Sequence, residues 1–173
     1  MHVLVATDGS LETEEAASFA ASLADEDGKV TVLTVVEIPR KMLQDLRDVM
    51  GEQHETGVIE AGEWVDTPAV PSQAPRNWPG DDAVIDRYLD DKRFQCTDPI
   101  VSTLTGRGIA AEGLVVEGEK PTETILEQVK ALGADVLLIG SHGQGAFSGL
   151  LGSVGTKLVR GSSKPVLLLR REP

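Results

Sequence analysis

The segment of this sequence with the most chemical character is Gly140-Ser141-His142-Gly143, followed after eight intervening residues by Gly152-Ser153. An apolar run, Ala134 to Ile139, leads into it, and Ser153 to Arg160 leaves it as a short helix closed by Gly161. Strand, glycine loop and helix start together make an anion site. Glycines let the backbone approach a phosphate closely, and the free N–H groups of a helix start point towards it. The Ser153 hydroxyl supplies one more donor. The same glycines would also serve an ordinary strand-to-helix connection, because a lone glycine pattern is weakly specific. The segment is not a P-loop, since no Gly-Lys-Ser/Thr follows, and no Gly-x-Gly-x-x-Gly opens directly from the strand.

Asp8 is the second candidate, at the end of the apolar run Val3-Leu4-Val5-Ala6. It reads either as a ligand-facing acid or as a cap using the N–H of Ser10 or Leu11, and both roles can coexist. The remaining groups are weaker. With only His2, His54 and His142 the chain offers no visible metal triad, and His142 reads as a loop residue beside the glycines. Asp25-Glu26-Asp27 and Asp90-Asp91 read as solvated helix ends, Trp64 and Trp78 as anchors of an insertion, and Cys96 as a packing residue. A single cysteine excludes an intramolecular disulfide. Ser10, Ser141 and Ser153 have no general base assigned by motif, and neither HExxH nor a supported carboxylate pair is present.

The elements that must position these groups alternate between strand and helix. Strands are expected at Val3 to Ala6, Val30 to Val36, Ala111 to Glu117, Ala134 to Ile139 and Pro165 to Leu169. A helix capped by Ser10 should carry Ala16, Phe19, Ala20 and Leu23 on one face and stop at Asp27-Gly28. Asp81-Asp82 should cap a helix with Val84, Ile85, Tyr88 and Leu89 on one face. Asp98-Pro99 should start another, with Asp98 as its cap, and Pro121 opens a fourth, stopped by Gly133. Such alternation predicts an α/β fold with a parallel sheet. If the first and fourth strands are neighbours, Thr7-Asp8 and Ile139-Gly140 emerge together where open sheets bind ligands. One domain is expected over 1–173, interrupted at about 39–80 by an irregular insertion carrying Pro68, Pro71, Pro75 and Pro79.

Composition bounds the function. Aromatics supply only 3% of the 173 residues, so Val, Leu, Ile and Ala must fill the core. A net charge of −12 disfavours nucleic acid as a partner and makes any anion site depend on local backbone dipoles. No apolar run approaches the ~20 residues of a membrane span, and the N-terminus lacks a basic leader, so a soluble cytoplasmic protein is expected.

The opening Val-Leu-Val-Ala-Thr-Asp-Gly-Ser, its alanine-rich helix, the ordered glycines, Gly152-Ser153 and the final Lys-Pro-Val-Leu-Leu-Leu together resemble the universal stress proteins. The likeness covers residues 1–38 and about 100–171. It implies a five-stranded Rossmann-like sheet of the adenine nucleotide alpha hydrolase kind, with helices on both faces. It also implies an ATP or AMP site, with Mg2+ accompanying the phosphates. Gly140, Gly143, Gly152 and Ser153 match the ribose- and phosphate-binding positions, with Val154 just beyond. Asp8 matches the acid beside base and ribose, Val35 the strand position that reads the adenine edge, and Ala6, Thr7 and Ile139 line the same cleft. The spacer between Gly143 and Gly152 is one residue short of the family's binding pattern.

Three functions compete. The first is a nucleotide-binding stress or signalling protein, at most a slow ATPase because no Walker-type lysine or dedicated base is evident. The second is a dimeric interaction module of the same fold, with lost or weakened nucleotide binding and an unknown protein partner. The third, an enzyme, rests on fold analogy alone. The short apolar strand Val166 to Leu169 is expected at a sheet edge and invites a homodimer.

Overall fold

The computed structural model describes residues 1–25, 27–38, 40, 41, 44, 81–141 and 152–170. These fall into two compact units, Met1–Glu37 with Tyr88–Pro173, and Ile38–Arg87. The sheet belongs to the first. Trp64, Trp78, His54, the prolines of the insertion and residues 142–151 lie outside the described residues.

Five parallel strands, β1 (His2–Ala6), β2 (Lys29–Val36), β3 (Ala110–Glu117), β4 (Val136–Gly140) and β5 (Val166–Leu169), pair in the order β3-β2-β1-β4-β5. All five residues of β1, the central strand, are buried. Its side chains alternate between two cores, as the two-residue period of a strand requires. Val3 and Val5 pack with Ala16, Ala17, Ala20 and Ala24 of α1 (Thr13–Ala24) and with Ile100 and Leu104 of a later helix. Leu4 and Ala6 pack with Ile125, Val129 and Leu158 on the opposite face. A sheet covered on both faces needs apolar residues at successive positions, hence the unbroken apolar runs of β1 and β4.

The other helices are α2 (Asp81–Lys92), α3 (Asp98–Gly106), α4 (Pro121–Ala131) and α5 (Ser153–Gly161). α1 and α3 cover the first face of the sheet, α4 and α5 the second. In α2, Val84, Ile85, Tyr88 and Leu89 form the expected half-buried face.

Three local expectations are corrected. Ser10 does not cap α1: Glu12 does, its carboxylate accepting from the N–H groups of Glu14 (3.1 Å) and Glu15. Ser10 instead turns back, donating N–H and hydroxyl to Asp8 Oδ1. α1 stops at Asp25, which adopts φ 61°, before Asp27-Gly28 is reached. Nor does Asp98 cap a separate helix. A π turn, Arg93–Thr97, joins α2 to α3 without a break, and Asp98 lies inside the helical run with its N–H on Arg93 O. The cause is Pro99, which has no N–H and whose ring excludes the carbonyl four residues back in regular α geometry.

Candidate functional site

β1 is flanked by β2 and β4, so the chain leaves it in opposite directions across the sheet. Such a switch point opens a crevice at the carboxyl ends of the strands. The register pairs Ala6 with Ile139, which brings the segments after β1 and β4 side by side. A cavity of about 480 Å³ lies there, within the usual range of small-molecule sites.

Ala6, Thr7, Asp8, Val35, Ile139, Gly140, Gly152, Ser153 and Val154 all line this cavity. Gly143, the remaining residue expected there, lies outside the described residues, as does His142. Ser141, of the same glycine-serine segment, lines it too, and residues not foreseen complete the wall: Ser10 and Leu11 after β1, Leu33 beside Val35, Pro121 and Ile125 from α4, and Gly155 and Leu158 from α5. Leu33 and Val35 are two apart on β2 and therefore face the same way, a signal the sequence did contain. Pro121 and Ile125 are consecutive turns of one helix face. Nothing in the sequence says that this face reaches the carboxyl end of β1, because that depends on strand order.

The lining combines apolar residues, among them Leu33, Val35, Ile125 and Leu158, with the polar Thr7, Asp8, Ser10, Ser141 and Ser153. Asp8 is the only charged side chain among the described lining residues. Its turn is held locally: Thr7 N–H donates to Leu33 O at 2.9 Å, Gly9 N–H to Thr7 Oγ1 at 3.0 Å, and Ser10 N–H to Asp8 Oδ1 at 3.0 Å. Gly9 holds φ +87°, which a residue with a side chain rarely adopts.

The start of α5 also borders the cavity. Gly152 sits at its N-cap and contributes no side-chain hydrogen bond. The N–H groups of a helix's first turn have no partner within the helix, and Ser153, Val154 and Gly155 of that turn all line the cavity. Gly152 N–H donates to Ser141 O at 3.3 Å, and Ser141 N–H to Leu169 O at 2.7 Å, so both ends of the glycine segment are tied to the carboxyl edge of the sheet.

A sequence profile of the Universal stress protein family matches residues 1–170. The chain belongs to this family. A universal stress protein of Mycolicibacterium smegmatis is 35% identical over 81 residues, a match covering 38% of this chain and 27% of that relative's length. Two solved structures share the fold. One is the protein MJ0577, with TM-score 0.61, 20% identity and coverage of 99% of this chain and 96% of the other. The second is a universal stress protein family protein from Arabidopsis thaliana with AMP bound, with TM-score 0.55, 18% identity and coverage of 99% and 92%. The five-stranded parallel sheet with helices on both faces is thus a universal stress protein fold. Among the described residues no cluster of three His, Cys, Asp or Glu could hold a metal ion, and no helix is long and apolar enough to cross a membrane.

Proposed function

We infer that this universal stress protein binds an adenine nucleotide, AMP or ATP, in the cavity at the switch point. One observation carries the reading: a single cavity combines the Asp8 carboxylate with the start of α5, whose N-cap residue Gly152 supplies no side-chain cap. The apolar lining residues Leu33, Val35 and Ile125 suit a flat purine. Asp8 accepts hydrogen bonds from the ribose hydroxyls, the use a strand-end acid has in dinucleotide folds. Ser153 and the first N–H groups of α5 receive phosphate oxygens. The AMP found in the Arabidopsis relative supports this ligand class. The protein acts as a binding module whose occupied and empty states differ for a partner, and β5, at the sheet edge with Leu168 36% exposed, is the surface for a homodimer.

Equilibrium titration of the full chain with ATP, ADP and AMP tests the reading. Saturable binding that weakens about tenfold or more in Asp8→Ala, which loses charge-assisted hydrogen bonds, is the expected result. No binding at millimolar nucleotide would overturn it. That outcome favours a second reading, an interaction module without nucleotide, whose support is the spacer one residue short between Gly143 and Gly152.

A further inference from the structure

The π turn joining α2 to α3 buries two consecutive residues, Cys96 at 8% exposure and Thr97 at 0%. Each is seated over a glycine. A Cβ on Gly113, in the middle of β3, would lie 2.6 Å from Thr97 Oγ1. A Cβ on Gly9 would lie 3.3 Å from Cys96 Sγ and 3.8 Å from both Cys96 Cα and Gln95 O. A π turn widens the helix by one residue, which lets neighbouring side chains both face inward. Its register is fixed from two directions. Pro99 closes the ordinary α register, and Thr97 donates its hydroxyl to Arg93 O at 3.0 Å, the carbonyl that also receives Asp98 N–H.

Gly9 is the centre of the turn that presents Asp8 to the cavity. Its N–H is held by Thr7 Oγ1, and the following N–H, of Ser10, by Asp8 Oδ1 itself. The thiol of Cys96 therefore supports the back of this turn, while Thr97, lodged over Gly113, fixes Cys96 to the sheet. We propose that the π turn positions Asp8 for the ligand, with Cys96 as a positioning residue that acts through Gly9. The role rests on the nucleotide-binding reading for its functional consequence and on the packing over Gly9 for its mechanism.

Two measurements on the full chain separate these. The first is native-state hydrogen exchange at the Gly9 and Ser10 amides without ligand, in the natural sequence, Cys96→Ala and Cys96→Ser. Truncating Cys96 to alanine accelerates both amides by about threefold or more relative to the amides of β1, whereas Ser, of similar shape, restores most of the protection. The second is AMP titration of Cys96→Ala, Gly9→Ala and the double variant. Alanine at Cys96 weakens AMP about threefold or more, and the two substitutions are non-additive by a similar factor because they act on one contact. Unchanged exchange at Gly9 and Ser10 in Cys96→Ala, or strictly additive effects on AMP, overturns the proposal. If the natural sequence binds no AMP, the nucleotide reading falls, and the exchange result alone decides whether Cys96 holds the turn.

Discussion

Gly113→Ala in β3 puts the packing of the π turn to a direct thermodynamic test. Gly113 does not have a left-handed backbone, so the substitution introduces no conformational strain, and an alanine in mid-strand recovers about 0.5–1 kcal/mol of backbone entropy. Against this stands the steric problem. The new Cβ would meet Thr97 Oγ1 at 2.6 Å and Thr97 Cβ at 3.2 Å. Thr97 is fully buried, its hydroxyl is tied to Arg93 O, and a β-branched side chain has few rotamers to retreat into. Overpacking of this kind costs about 1–3 kcal/mol. A 2.6 Å approach to a fully buried, hydrogen-bonded side chain belongs in the upper part of that range, about 2–3 kcal/mol, so the steric term wins with a net loss of about 1–2.5 kcal/mol. In a chain of this size that lowers Tm by roughly 2–10 °C, readable by calorimetry. Thr97→Ala removes the closest atom and leaves Arg93 O its bond from Asp98 N–H. In the double variant the cost of Gly113→Ala should therefore shrink by about 1 kcal/mol. A Gly113→Ala protein as stable as the natural one, or a double variant whose losses simply add, would refute the seating of Thr97 over Gly113.

Other perturbations discriminate between neighbouring roles. Glu12→Ala should cost about 1 kcal/mol by removing the cap of α1, and Ser10→Ala clearly less, as urea denaturation would read; equal losses would count against the cap. Ser153→Glu places an acid at the start of α5, where it favours the helix by about 0.3–1 kcal/mol yet repels a phosphate. Tm should hold or rise while AMP affinity falls about tenfold or more; retained affinity would move the phosphates elsewhere. His2 is buried, and burial is the main cause holding its pKa below 6.5, with Lys29 acting in the same direction. Its Nδ1 lies 3.1 Å from Leu132 O and its Nε2 2.9 Å from Thr31 Oγ1, whose hydroxyl donates to Glu112 Oε1 at 3.1 Å. The folded state resists protonation more than the unfolded chain does, so His2 favours folding fully above about pH 6.5 and progressively less as pH falls towards its lowered value. Thermal unfolding at pH 5 and 7.5 should differ less in His2→Gln. Asp135, held down chiefly by the N–H of His2, loses its contribution only at more acidic pH, below the ordinary carboxylate range. Raising ionic strength should leave AMP affinity unchanged or improve it, because salt screens the repulsion between the ligand and a chain of charge −12.

What the sequence made legible follows from which interactions are local. The five strands are short apolar or β-branched runs bounded by turn residues, and their ends fall within a residue or two of expectation. β4 begins at Val136 and not Ala134, because Gly133, at φ +62°, keeps the chain turning for two more residues. Asp8 and Gly152-Ser153 could be singled out since a strand-end acid and a glycine-serine helix start are local chemistry. Ser10 reads as the cap of α1 because Ser is a far commoner cap than Glu, yet it lies within reach of a nearer acceptor, Asp8. Ile125 and Leu158 are illegible as site residues for a different reason. Each reads as core, and only the order β2-β1-β4 decides which core residues open onto a cavity. The π turn was equally illegible: Pro99 announces an irregularity, but its direction is set by two glycines far away in sequence, Gly9 and Gly113.

The electrostatics of the site follow the same division between local and global. The chain carries 28 acidic against 16 basic side chains, and the described wall of the cavity contains no cation. Residues 142–151, which complete the glycine segment, contain no Lys or Arg. Among the described lining residues no positive formal charge attracts an anion. Its attraction comes from oriented dipoles, the N–H groups of α5 and the hydroxyls of Ser141 and Ser153, all short-ranged and directional. Such a site discriminates against a poorly fitting phosphate that a lysine would tolerate, because dipole interactions fall off faster with distance and misalignment than those of a full charge. Specificity then depends on how rigidly the start of α5 and the Asp8 turn are held. The hydrogen bonds from Gly152 to Ser141 and from Ser141 to Leu169 do this for the first, and the packing of Cys96 against Gly9 does it for the second.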